Sequence, residues 1–168
     1  MNTSNIHVHH AAGSGHSLKD FYPLIFITAL VLVLTYGSVS WLALEPMLAF
    51  MGWFFLVFGV LKLMRLNGFV EAYQEYDLLA MRSRSYAYLY PFLEVGFGIA
   101  YLLAWQVVIV SAMVLVVMLV GAAGVYVKLR AKEDIPCACL GTVFKVPMTW
   151  VTLGEDLLMA GMAALLLL

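Results

Sequence analysis

Cys137 and Cys139, one residue apart, are the whole thiol content of this 168-residue chain. They sit in a loop between Pro136 and Gly141. Two sulfurs at that spacing can close a small, strained disulfide, oxidising and easily reduced. They can equally form a two-coordinate soft site for Cu(I), or part of a Zn(II) site. Lys128, Arg130, Lys132 and Lys145 flank the loop, and positive charge of this kind favours the reactive thiolate. Two cysteines are too few for a disulfide scaffold. Three acids stand inside apolar runs: Glu94, Glu155 and Asp156. A charge at the centre of a spanning helix costs about 2.5–3.5 kcal/mol, so such residues are functional candidates. Lys62 is their expected cationic partner, at a depth that matches Glu155. Glu94, placed deeper, is expected to bond to Tyr101 or a backbone carbonyl. His7, His9, His10 and His16 crowd the first sixteen residues. Imidazoles bind Cu(II) and Zn(II), although a short His-rich tract reads as metal-binding by composition alone.

The elements that must position these residues are membrane helices. The chain is 64% hydrophobic and 11% charged, whereas a soluble domain is about half apolar and about a quarter charged. Such a chain needs the bilayer as solvent, and there only helices or closed barrels satisfy the backbone. The apolar runs are unbroken and lack the alternation of barrel strands, so the expectation is an all-α polytopic bundle. Residues 1–20 read as a disordered, His-containing cytoplasmic tail. The start does not resemble a cleavable signal peptide, because the first apolar run is too long. Spans are expected at about 21–44, 46–64, 86–105, 106–129 and 148–168, each near the roughly 20 residues a crossing needs. Pro46 suits the first turn of the second span, and Pro91 is a potential kink in the third. The fourth must begin with a tight joint at Trp105–Gln106.

Residues 65–85 carry too much charge to cross. Phe69, Val70, Tyr73, Tyr76, Leu79 and Ala80 recur there at helical spacing, which predicts an amphipathic helix at the interface or folded back on the bundle. Tyr86, Tyr88, Tyr90 and Trp105 suit an interfacial aromatic belt. Gly96 with Ala100, and Gly121 with Gly124, suit close helix packing. With five crossings, all nine Lys and Arg fall on one side. Positive residues stay in the cytoplasm, so the N-terminus and the cysteine loop are expected inside and the C-terminus outside.

From Gly52 onward the chain resembles the MauE branch of the DoxX-like membrane proteins. The matching pieces, in order, are FGVLKL (58–63), YDLLA (76–80), YPFLEVGFGIAYLL (90–103) and CACLG (137–141), followed by a helix bearing acids. The resemblance implies a four-helix DoxX-like core. It also implies a redox-associated role of the kind served by the accessory protein of methylamine dehydrogenase maturation. By that resemblance Cys137 and Cys139 are the redox pair, and Pro91 with Glu94 is the family's P-x-x-E element. The span at 21–44 and the His tail are additions to the pattern.

Three functions stand open at this point. In the first, Cys137 and Cys139 relay electrons to a thiol partner protein while Glu155, Asp156 and Glu94 manage protons or structure. In the second, Cys137, Cys139, His7, His9 and His10 hold Cu or Zn for a metallochaperone-like partner. In the third, the bundle is a non-catalytic scaffold. No nucleotide motif, zinc-protease signature or Ser/His/Asp arrangement is present, so no self-contained enzyme is expected. Nucleic acid is an unsuited partner. The lipid bilayer of a bacterial inner membrane is the expected setting.

Overall fold

The computed structural model describes residues 22–131, 136–137, 140, 146–147 and 150–168, with residues 136–137 and 146–147 entering by their backbone. Six helices carry the described chain: α1 (Tyr22–Leu42), α2 (Pro46–Met64), α3 (Leu66–Tyr73), α4 (Arg84–Leu102), α5 (Val107–Ala131) and α6 (Trp150–Leu165). Between α5 and α6, β1 (Pro136–Cys137) pairs antiparallel with β2 (Val146–Pro147). The protein is a helical membrane bundle, as its composition requires. Among the described residues α1, α2 and α5 are long and apolar enough to cross a membrane. The other two long helices, α4 and α6, are those that carry buried or partly buried acids. At 1.5 Å per residue they measure about 28 and about 24 Å, close to the roughly 30 Å of a hydrocarbon core.

The boundaries have local causes. Ala43 takes a positive φ of 51° and ends α1. Glu45 then caps α2, its carboxylate accepting from Leu48 N–H at 2.9 Å, while Pro46 occupies the first turn, where a missing N–H costs nothing. Ser83 caps α4 by accepting from Tyr86 N–H at 3.3 Å. The joint between α4 and α5 is as tight as the sequence demands. Ala104 and Gln106 both adopt φ near 48°. Ala104 N–H donates to Tyr101 O and Trp105 N–H to Ala100 O, a Schellman ending made without glycine.

Packing centres on α2 against α4 and on α5 against α6, with α1 on the flank of α2. The α2–α4 pair is antiparallel, since Gly52 meets Gly98 and Leu102 while Gly59 meets Glu94 and Val95. Gly98, rather than Gly96, makes the close approach: a Cβ on Gly98 would collide with the backbone at Leu56 and Gly52, whereas one on Gly96 would meet nothing. On α1, Ser38 Oγ accepts from Trp53 Nε1 at 2.7 Å and ties the flanking helix to α2.

The amphipathic stretch after α2 is present as α3, with Phe69, Val70, Ala72 and Tyr73 buried against the bundle. It is shorter than the 3.6-residue periodicity suggests. Asp77 Oδ1 accepts from Leu79 N–H at 3.0 Å and Ala80 N–H at 2.8 Å, a side-chain turn that competes with helix. Beyond it Tyr76 and Ala80 stay buried but Leu79 points outward, 45% exposed. Gly124 of α5 serves this turn too: a Cβ there would overlap the Tyr76 carbonyl oxygen.

A buried charge cluster as the candidate functional site

The cluster begins with Lys62 in the last turn of α2 and Glu94 in the middle of α4, which the antiparallel crossing brings face to face. Lys62 Nζ donates to both carboxylate oxygens of Glu94 at 2.5 Å, and both side chains are over 90% buried. This corrects two expectations. Lys62 pairs with Glu94 rather than Glu155, and Tyr101 meets Ser111 Oγ at 3.0 Å rather than Glu94. Depth along a helix did not reveal which faces meet; the glycine-lined α2–α4 contact decides it.

Aromatic rings enclose the ammonium. Nζ stands 5.0 Å from the Tyr90 ring centre and 5.6 Å from that of Phe69, within cation–π range. Tyr73 extends the group, its ring 4.6 Å from Tyr90 and 4.9 Å from Phe69. Tyr90 therefore belongs to the core, 6% exposed, and not to a lipid-facing belt. Trp105, 64% exposed, keeps the position expected of a belt residue. Tyr88 donates its hydroxyl to Asn67 at 3.1 Å.

These residues wall a cavity of about 40 Å³ at the centre of the bundle. A water molecule needs about 10–15 Å³, so the space admits water but no organic cofactor. From α6, Glu155 and Asp156 line the same cavity; from α5, Gly121 and Val125 do. Both sequence-expected acids of α6 thus share a site with the Lys62–Glu94 pair. Glu155 also borders an apolar groove of about 410 Å³ on the outer surface, lined by Leu24, Thr28 and Leu32 of α1 and Val151 of α6.

Asp77 was not among the expected acids, because it lies in a stretch whose charge suggested the interface. It is 0% exposed, and its Oδ2 has no hydrogen-bond partner. Burial pushes its carboxyl above the ordinary range, against the opposing pull of the Ala80 N–H, the Tyr73 hydroxyl and the Leu79 N–H. Burial likewise holds the Tyr73 phenol well above its ordinary value, so Tyr73 keeps its proton. The one signal for Asp77 in the sequence is its residue type, since an Asp side chain readily accepts from the backbone N–H two residues on.

The ends of α5 and α6 that flank the cysteine loop in the chain lie toward the same half of the bundle. Gly121 is ten residues from the end of α5, and Asp156 six from the start of α6, or about 15 and about 9 Å along the axes. Cys137 pairs through its backbone with Val146, β1 lies against α3, and Leu140 is buried in the core at 1% exposure. The Cys137 sulfur, Cys139, His7, His9, His10 and His16 lie outside the described residues, so the expected Cys/His metal set does too. Among the described residues no three His, Cys, Asp or Glu side chains are arranged to hold a metal ion.

No curated protein and no solved structure gives a significant match to this chain. A family model described as methylamine utilisation protein MauE matches residues 39–168. The match starts at the last turn of α1 and takes in every cavity-lining residue and the cysteine loop. The chain belongs to the MauE family of membrane proteins.

Proposed function

We propose that this MauE-family protein is a membrane accessory factor that relays electrons through the Cys137–Cys139 pair to a thiol partner protein. Two features support the reading. The family match includes the C-x-C-x-G loop, and the half-buried acids of α6 follow it in the chain. In the relay, a Cys thiolate attacks the partner's disulfide, forming a mixed disulfide and releasing one partner thiolate. The second Cys thiolate resolves it, closing Cys137–Cys139 and releasing the other. Two electrons pass to the partner, whose S–S bond becomes two thiolates, and two protons leave this protein's thiols. Glu155 and Asp156 would take those protons from the loop side; the reverse direction uses the same groups. The protein would sit in a bacterial inner membrane in five crossings. By the Lys/Arg distribution its N-terminus and cysteine loop would be cytoplasmic.

The test is the double substitution Cys137→Ser/Cys139→Ser at native expression. The expected outcome is loss of the cellular phenotype and a partner thiol protein trapped in one redox state. An unchanged phenotype with unchanged partner redox state refutes the relay and favours a scaffold. A second reading, capture of Cu or Zn by the loop with His7, His9 and His10, is supported by their expected location on one membrane side. Under it, equilibrium dialysis of the purified protein should show Cu(I) or Zn(II) binding that the cysteine-free protein lacks.

A further inference from the structure

Among the described residues, the Lys62–Glu94 pair engages one of several carboxyl groups in this part of the bundle. Two others approach each other from different elements, Asp77 from the turn after α3 and Asp156 from α6. Gly121 of α5 lies between them. A Cβ on Gly121 would stand 3.7 Å from Asp156 Oδ2 and 4.0 Å from Asp77 Oδ2, so the absence of a side chain on Gly121 lets the two carboxyl groups share one space. Asp77 is fully buried; its Oδ1 is engaged by two backbone N–H groups, while its Oδ2 is unpartnered. The Tyr73 hydroxyl, on a residue 3% exposed at the cavity wall, makes no hydrogen bond of good geometry but stands near enough to Asp77 to favour its ionised form. Among the described residues no Lys or Arg other than Lys62 lines the cavity, and Lys62 is committed to both oxygens of Glu94. Two carboxylate oxygens that both lie within 4.0 Å of one point, largely shielded from water, repel one another when both groups are ionised. An orphaned buried oxygen adds a desolvation penalty of its own. One proton held between them relieves both.

We propose that Asp77 and Asp156 share one proton across Gly121, directly or through one water, making this pair a proton-binding site of the bundle. The titratable groups that line the cavity with Asp156 are Lys62 from α2, Tyr73 from α3, Tyr76 from the following turn, Tyr90 and Glu94 from α4, and Glu155 from α6. On α5 the cavity is lined by Met118, Gly121 and Val125, none of them titratable. The pair titrates as a unit, not as two separate acids. The site does not depend on the thiol relay, and the experiment keeps the two apart.

The experiment is infrared spectroscopy of the full chain in lipid nanodiscs, at neutral pH, in the Cys137→Ser/Cys139→Ser background. The expected result is a protonated-carboxyl band that Asp77→Asn and Asp156→Asn each abolish. Gly121→Ala gives a second variant that should fold, since its methyl would meet both oxygens at ordinary contact distance. It should shift the same band, whereas Gly161→Ala, whose methyl meets nothing, should leave it in place. Survival of the band in either Asn variant, or an unmoved band in Gly121→Ala, overturns the proposal. So does a tightly held metal cation in the purified protein that either Asn substitution releases.

Discussion

A lysine and a glutamate buried together at the centre of a membrane bundle form an interaction whose loss should be far larger than that of a surface pair. Removing one partner of a buried ion pair costs about 3–5 kcal/mol, because the other charge is left without compensation, while replacing both by apolar residues is often neutral. Lys62→Met alone and Glu94→Leu alone should each destabilise the purified protein by about 3–5 kcal/mol. The Lys62→Met/Glu94→Leu double variant should recover most of that loss. Denaturant unfolding in mixed micelles measures the cycle; additive losses would mean that the two residues do not act as a pair. Hydropathy alone exposed Lys62, Glu94, Glu155 and Asp156 as charges out of place in apolar runs. It could not say which of them meet, because partner choice depends on which faces of α2 and α4 touch. Asp77 escaped notice for a different reason. Its neighbours Glu71, Glu75, Arg82 and Arg84 suggested solvent, and only the fold-back of α3 and the turn that follows makes its position interior.

At the scale of elements, close approach of α2 and α4 is what brings Lys62 to Glu94. Gly98 lies at the crossing, where an added Cβ would come within 2.6 Å of Leu56 N and 2.8 Å of Gly52 O. Neither backbone atom can move aside as a flexible side chain could. Gly98→Ala should therefore cost about 1–3 kcal/mol or more by overpacking, and should weaken the Lys62–Glu94 coupling in the same unfolding cycle. Gly96→Ala should be neutral or mildly stabilising, since Ala is favoured over Gly within a helix by about 1 kcal/mol. Equal effects of the two would contradict the crossing geometry. The helices themselves were legible from runs of apolar residues and from Pro46, but the glycines at the crossing were not. Gly96 and Gly98 differ by two positions, and sequence spacing to Ala100 favours the wrong one. The α3 helix is shorter than its apolar spacing suggests, because that spacing persists past Tyr73 into the turn held by the Asp77 side chain.

Over the whole molecule, the MauE-family region supplies α2 to α6 and the cysteine loop, and α1 packs on its flank through α2. The C-terminal part of α2, the turn after α3, and the facing ends of α5 and α6 converge on one buried, acid-rich cavity. The chain segment with the two cysteines connects α5 to α6, which both line that cavity. The proposed relay requires Cys137 and Cys139 to be redox-active in the cell, which acid-quenched trapping with a maleimide of added mass reads directly. Under the relay, wild-type protein should divide between a doubly labelled dithiol and an unlabelled disulfide form, and Cys137→Ser or Cys139→Ser should accumulate a mixed disulfide with a partner protein. Complete double labelling of wild type, together with no mixed disulfide in either single variant, would contradict the account.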